Sequence, residues 1–139
     1  MKRTVILILA AALLTGCIED PTPERARVVI NGEPGKSVRI IVATDFVAAV
    51  NQEGQTRVVI LRADTVTATL PYDKTFNIEA SQQIFAEVAR ADADVANLRM
   101  QVYIDSDVRF DEGGLLRDQP FRFVYAFNRP TTRDIAVVI

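Results

Sequence analysis

From residue 25 onward, short runs rich in β-branched residues alternate with clusters of turn-forming residues. This spacing is typical of antiparallel sandwiches and barrels. Gly, Pro, Asn and Asp in the clusters at residues 31–36, 51–55 and 71–74 favour chain reversal, and residues 62–64 connect two further runs. Predicted strands cover residues 25–30, 37–44, 56–61, 65–70, 75–80, 98–104, 121–128 and 134–139.

Two of these runs alternate strictly between apolar and polar positions. In residues 98–104 the even positions are Leu, Met, Val and Ile, and in residues 121–128 one face is wholly aromatic. Alternation with a period of two predicts strands that bury one face. The aromatic face (Phe121, Phe123, Tyr125 and Phe127) suits a pocket for an apolar ligand or core packing, and we favour core packing. The predicted core contains Val38, Ile40, Ile60, Phe76, Val102, Ile104, Phe123 and Tyr125.

Residues 82–90 fit two patterns. Alternate positions from Ile84 onward suit a strand, whereas Ile84, Phe85, Val88 and Ala89 suit one face of a helix. The regular strand spacing on either side favours the strand.

The last predicted strand, residues 134–139, contains no proline or lysine. These residues often protect the exposed edges of sheets. Two positions remain open for this strand. We favour a position between two strands of its own sheet, and the alternative is an edge, where it can pair with a strand of a partner.

A single domain accounts for the length of 139 residues. The chain shows no repeat of helix followed by strand, the pattern that indicates a parallel sheet. We therefore predict an all-β fold, a single antiparallel immunoglobulin-like β-sandwich over residues 25–139.

The N-terminal region has the pattern of an export signal. Lys2 and Arg3 precede an apolar run at residues 5–14, which is shorter than the ~20 residues that a transmembrane helix needs. The Leu-Thr-Gly-Cys motif at residues 14–17 resembles the lipobox of bacterial lipoproteins, in which the cysteine sulfur receives diacylglycerol and the signal is cut before it. We predict a signal peptide at residues 1–16 and attachment to a membrane through a lipid on Cys17.

Residues 17–24 are predicted to be an extended tether, because two prolines and three acids disfavour a helix there. In enteric lipoproteins, an aspartate directly after the cysteine retains the protein in the inner membrane. Ile18 occupies that position here. The resemblance therefore favours the outer membrane, with the domain facing the periplasm.

Composition excludes several classes of chemistry. The chain has no histidine, which removes the usual general base, the Ser-His-acid triad and the commonest zinc ligand. It also has no tryptophan for sugar stacking, and no acid stands out within an apolar run. The formal net charge of −2, with basic and acidic residues interspersed, argues against nucleic-acid binding. We expect no cofactor, no nucleic-acid partner and no enzymatic activity.

Four acids, Asp105, Asp107, Asp111 and Glu112, precede a glycine pair and are the candidate Ca²⁺ ligands. Counted from Asp105, the fifth position is arginine and the sixth is phenylalanine, so the segment is not an EF-hand. We favour a strand end with acids facing water and a flexible glycine loop, without a tight Ca²⁺ site. Paired carboxylates also leave glycoside hydrolysis as an alternative.

The Thr-Leu-Pro-Tyr-Asp-Lys-Thr-Phe stretch at residues 69–76, an alanine-rich run at residues 86–93 and Val-Tyr-Ile-Asp at residues 102–105 together resemble a known family. The pattern is similar to the periplasmic β-sandwich of the small mycobacterial membrane protein family, accessory subunits of lipid-exporting transporters of the resistance-nodulation-division type. The similar region spans residues 37–110. Tyr72 replaces a tryptophan of the family pattern, a cysteine pair is missing, and a lipid replaces the transmembrane helix.

These observations predict a non-catalytic envelope lipoprotein that acts as a binding or accessory module. Its expected partner is an envelope protein or a lipid-like cargo. The alternatives are a purely structural lipoprotein and a carboxylate-dependent hydrolase.

Overall fold

The computed structural model describes residues 22–92 and 96–138, and these residues form an all-β fold. Within these ranges no helix is long and apolar enough to cross a membrane. The predicted fold class is confirmed. The strands are β1 (Arg25–Gly32), β2 (Ser37–Val50), β3 (Thr56–Thr69), β4 (Tyr72–Asn77), β5 (Ile84–Arg90), β6 (Ala96–Ile104), β7 (Asp107–Leu116), β8 (Phe121–Ala126), β9 (Arg129–Thr131) and β10 (Ile135–Val138).

The strands form two sheets that pack as a sandwich. One has the order β4-β1-β6-β7 and the other the order β10-β3-β2-β5-β8-β9. All pairs are antiparallel except β3 and β10, which run parallel with Ile135 opposite Thr56. The parallel pair departs from the purely antiparallel sheet that the sequence predicted.

The main core lies between the sheets, where the alternation of the strands places apolar side chains inward. All even positions of residues 98–104 are buried, and the rings of Phe110 and Phe123 lie 5.4 Å apart between centroids. Ile60 and Phe76 are only partly buried, because Ile60 packs in a different cluster and Phe76 lies on an edge strand. The other predicted core residues, Val38, Ile40, Val102, Ile104, Phe123 and Tyr125, are buried.

A second apolar cluster covers the outward face of the six-stranded sheet. It contains Phe85 of β5 and Val124 of β8. Its other members include Phe46 in the second half of β2, Val58 near the start of β3, and Ile135 of β10. Val42 faces the main core and Phe46 faces the second cluster. The register shift in β2 between these two residues accompanies the change of face. Strand β5 is consequently buried on both faces, which explains why its sequence also suited a helix. The preference for a strand is confirmed over Ile84–Arg90, whereas residues 82 and 83 precede the strand.

Strands β7 and β9 were not predicted from the sequence, and several boundaries differ from the prediction. Residues 62–64 lie within β3, because β2 and β3 stay paired on both sides of the register shift between Val42 and Phe46. The predicted glycine loop at residues 113–114 lies within β7, where Gly113 and Gly114 pair with Arg99 and Leu98. Tyr72 already belongs to β4 rather than to a turn.

The chain joins the domain just before β1. Pro23 is buried, and the Glu24 carbonyl accepts the Ile78 N–H at 2.8 Å. Contacts with the domain therefore begin two residues before the predicted domain start. The predicted signal peptide, Cys17 and the first part of the tether lie outside the described residues, as does Ile139.

Candidate functional site

The four candidate Ca²⁺ ligands are distributed over the β6–β7 hairpin and are engaged separately. One carboxylate oxygen of Asp105 accepts the backbone N–H groups of Glu24 and Arg25 at 3.1 and 3.0 Å, so this acid fastens the N-terminal strand. Asp107 accepts a hydrogen bond from Arg109 at 3.3 Å. These bonds give both acids structural partners.

Asp111 and Glu112 are neighbours on β7, so their side chains leave opposite faces of the sheet. Asp111 accepts two hydrogen bonds from Arg99, both 2.6 Å, and one from Gln101 at 3.2 Å. The hydrogen bond from Arg99 lowers the pKa of Asp111. Among residues 22–92 and 96–138 no group of three or more acids, cysteines or histidines is arranged to hold a metal ion.

The outward face of the four-stranded sheet is polar and solvent-exposed. Arg27 forms an ion pair with Asp73 across β1 and β4, and its guanidinium lies 5.8 Å from the centroid of the Tyr103 ring. The Arg27 hydrogen bond lowers the pKa of Asp73. This face carries the alternating polar residues expected of an antiparallel sheet with one side in water.

Most of the aromatic face of residues 121–128 packs into the core, and Phe121, which is partly buried against that core, also lines a cleft next to β8. Phe123 and Tyr125 are buried, and the Tyr125 hydroxyl donates a hydrogen bond to the Asn128 side chain. Phe127 is the exception. It lies beyond the end of β8, has a φ of 54°, and is 81% exposed.

Glu87 is a buried acid inside an apolar run, so the expectation that no acid stands out within such a run was wrong. Glu87 lies in β5 at the centre of the six-stranded sheet and is 4% exposed. Arg122 donates to it at 2.7 Å, and a second guanidinium nitrogen of Arg122 donates to the Ile135 carbonyl at 3.2 Å. Arg39 lies 3.8 Å from the other carboxylate oxygen. The available signal was an acid inside the apolar run Ile-Phe-Ala-Glu-Val.

A cleft of about 880 Å³ opens beyond the ends of β7 and β8. Its lining includes Arg117 and Arg133 as well as Glu112 and Asp134. Within the described part of the chain none of these four side chains forms an ion pair. Because the signs balance, the cleft shows no preference for an anionic ligand.

Strand β10 lies at an edge of the six-stranded sheet, the alternative that we did not favour from the sequence. Its parallel partner, β3, lies on one side, and no described strand pairs with its other side. Its residues Ile-Ala-Val-Val carry no charge and no proline. Val138 is 40% exposed and lies in one row with Val59 and Val47, of which Val47 is 54% exposed.

The other edge strands carry charged residues, a register shift or a proline, which discourage the addition of a further strand. Strand β4 presents Asp73 and Lys74. Strand β7 presents Asp107 and Asp111 and contains a register shift. Strand β9 has three residues, one of which is Pro130. Among the described strands that end the two sheets, β10 is the one without a charge, a proline or a register shift.

Comparison with known proteins found no match among protein-family models, curated proteins or solved structures.

Proposed function

We propose that this chain is a non-catalytic lipoprotein, held to a membrane outside the cytoplasm by a lipid on Cys17, whose domain acts as a binding or accessory module. The observation that carries the proposal is the free, uncharged edge of β10. An edge of this kind binds an extended segment of another protein through backbone hydrogen bonds. It therefore favours an envelope protein over a lipid-like cargo as the partner.

The hydrogen bonds made by the carboxylates favour a binding role over hydrolysis. A catalytic general acid needs a pKa raised toward neutrality, whereas the hydrogen bond from Arg99 lowers the pKa of Asp111. The Asp105 carboxylate is hydrogen-bonded to backbone N–H groups, and Glu87 is hydrogen-bonded to Arg122. These contacts fit structural roles.

The N-terminal pattern supports anchoring, because a lipobox-like motif directly precedes a proline-containing tether. Anchoring concentrates a binding module at one membrane face. The resemblance to accessory subunits of lipid exporters fits the same class of role. A purely structural lipoprotein would need no unprotected edge.

Photo-cross-linking in native membranes tests this proposal. A photoreactive amino acid is placed at Val138 on β10 or, as the control, at Val108 on β7, an edge strand of the other sheet; the two valines are 40% and 50% exposed. We expect a reproducible adduct from position 138 and none from position 108. Ala136→Lys should abolish the adduct, because an edge charge discourages strand pairing.

Equal adducts from both positions, or a protein that remains an isolated monomer without a reproducible partner, would contradict the proposal. A hydrolytic activity lost on substitution of a single carboxylate would replace it with the catalytic alternative.

A further inference from the structure

The free side of the six-stranded sheet extends beyond β10. The described residues of β10 pair with residues 56–59 at the start of β3, whereas β3 continues to Thr69. No other described strand pairs with β3 on this side. Residues 65–69, about 17 Å of extended chain, therefore form a second free margin, which we call the open edge.

Within the described part of the chain, the backbone of the open edge presents hydrogen-bonding groups without partners in a regular pattern. Immediately beyond the Ser37–Thr69 pair that ends the β2–β3 ladder, the Leu70 N–H donates to the Lys36 carbonyl at 2.9 Å. Backbone polar groups alternate sides along a strand, so Thr65, Thr67 and Thr69 direct their N–H and C=O groups away from β2. All three threonines are exposed.

The open edge has no protection against strand addition. Its sequence is Thr-Val-Thr-Ala-Thr, without charge, proline or glycine and with a high preference for extended structure. Val66 lies opposite Ile40 and so faces the core side of the sheet, yet it is 41% exposed. An added strand would cover this side chain.

A hollow of about 300 Å³ adjoins the open edge and provides a place for a side chain. Its apolar lining includes Val42 and Ala63 of the six-stranded sheet and Phe76 of β4 in the other sheet. The hollow thus opens into the gap between the sheets. Its rim carries Asp45 and Asp64 but one cation, Arg62, and none of these forms an ion pair within residues 22–92 and 96–138.

We propose that the open edge is a strand-addition site for an extended segment of a partner protein. The segment has apolar residues at every second position, and a lysine or arginine near the end that reaches the hollow. Outward N–H and C=O groups at every second residue match a peptide backbone, which a lipid does not provide. The excess of acids at the rim matches the cation.

This inference rests on the proposed function in taking a protein as the partner, but it concerns a different strand and does not require the lipid anchor. β10 occupies the same side of the sheet at residues 56–59. The segment therefore pairs with β3 only beyond Val59, in line with β10.

A random octapeptide library, selected on the full-length protein in detergent, tests the site. We expect enrichment of sequences with alternating apolar residues and a basic residue near one end. The enriched peptides should bind the wild type and Thr67→Val equally, because valine keeps the outward N–H. They should bind Thr67→Pro at least tenfold more weakly, because proline removes that N–H and leaves the ladder to β2 intact.

A second arm leaves the protein unchanged. The best peptide is synthesised in two forms, each N-methylated at alternate residues along one of its two edges. Only the form methylated on the edge that faces β3 should lose binding, by at least tenfold. Loss of binding to Thr67→Pro through misfolding would not reproduce this asymmetry.

Failure to enrich peptides, or binding that ignores both Thr67→Pro and N-methylation, overturns the inference. A wild-type dimer in sedimentation experiments that Thr67→Pro dissociates also overturns it, because the occupant is then a second copy of the chain. Neither result affects the cross-linking from Val138, so failure of this site and failure of the proposed function are distinguishable.

Discussion

Phe123 and Phe127 belong to the same aromatic pattern, but their environments are opposite. Phe123 is fully buried and packs against Phe110, whereas Phe127 is 81% exposed. Phe123→Ala should lower the free energy of unfolding by about 3–5 kcal/mol, through lost burial and the cavity left behind. Phe127→Ala, the matched control, should change it by less than about 0.5 kcal/mol. Urea titration measures both, and similar losses would contradict the assigned packing.

Asp73 makes stability depend on pH at the acidic end. The Arg27 hydrogen bond lowers the folded-state pKa of Asp73 below its unfolded value of about 3.9. The stability from this pair is therefore present above about pH 5 and is lost as the pH falls through the lowered pKa. The contribution is small, because both side chains are about half exposed (50% and 49%).

Asp73→Asn should lower the melting temperature slightly at pH 7, and the difference from the wild type should shrink as the pH falls through the lowered pKa of Asp73. Glu53→Gln is the control, since no described residue forms an ion pair with the Glu53 carboxylate. It should show no such convergence. A difference that is constant from pH 7 to pH 3 would contradict the role of the Arg27 pair.

At the scale of elements, the stability of the fold around β5 depends on how the buried carboxylate of Glu87 is neutralised. Arg122→Ala should lower the free energy of unfolding by about 3 kcal/mol, because it leaves Glu87 buried without its closest partner. Arg39→Ala should cost less than about 1 kcal/mol, since Arg39 lies 3.8 Å away and is 51% exposed. Chemical denaturation measures both.

The double variant Glu87→Leu/Arg122→Leu separates charge burial from packing. Replacing a buried ion pair with apolar residues is often neutral, so this variant should be more stable than Arg122→Ala. If it is less stable, the hydrogen bond from Arg122 to the Ile135 carbonyl contributes more than the neutralisation of Glu87.

At the scale of the whole molecule, attachment through Cys17 predicts a defined covalent product. Intact-mass analysis of the mature protein should show a chain that starts at Cys17 and carries a diacylglyceryl adduct. Cys17→Ser should release the domain from the membrane fraction without changing its folded circular dichroism spectrum. A soluble wild-type product with a free thiol would contradict lipidation.

The dispersal of the acids on the β6–β7 hairpin predicts no tight Ca²⁺ binding. A ligand present at 100 times its Kd adds about 2.7 kcal/mol of stability, which raises the melting temperature of a domain of this size by several degrees. We expect a shift below about 1 °C in millimolar Ca²⁺, measured by scanning calorimetry against Mg²⁺ as the control. A shift of several degrees with Ca²⁺ alone would reveal a site.

Most strands were predictable from the sequence because their signal is local. Val102 and Ile104 alternate with polar residues, and alternation alone predicts which face of a strand is buried. The turn at residues 51–55 was equally clear, since its residue types favour chain reversal. The lipobox-like motif ending at Cys17 is also a local signal.

What only the tertiary structure decided depends on contacts between distant residues. Burial of Glu87 requires β2 and β8 on either side of β5 and a second apolar cluster above it, and none of these is visible within β5. The candidate binding edges are equally non-local. The composition of residues 65–69 and 135–138 shows that either segment suits an unprotected edge, but pairing along the whole chain decides that both lie on the same free side of one sheet.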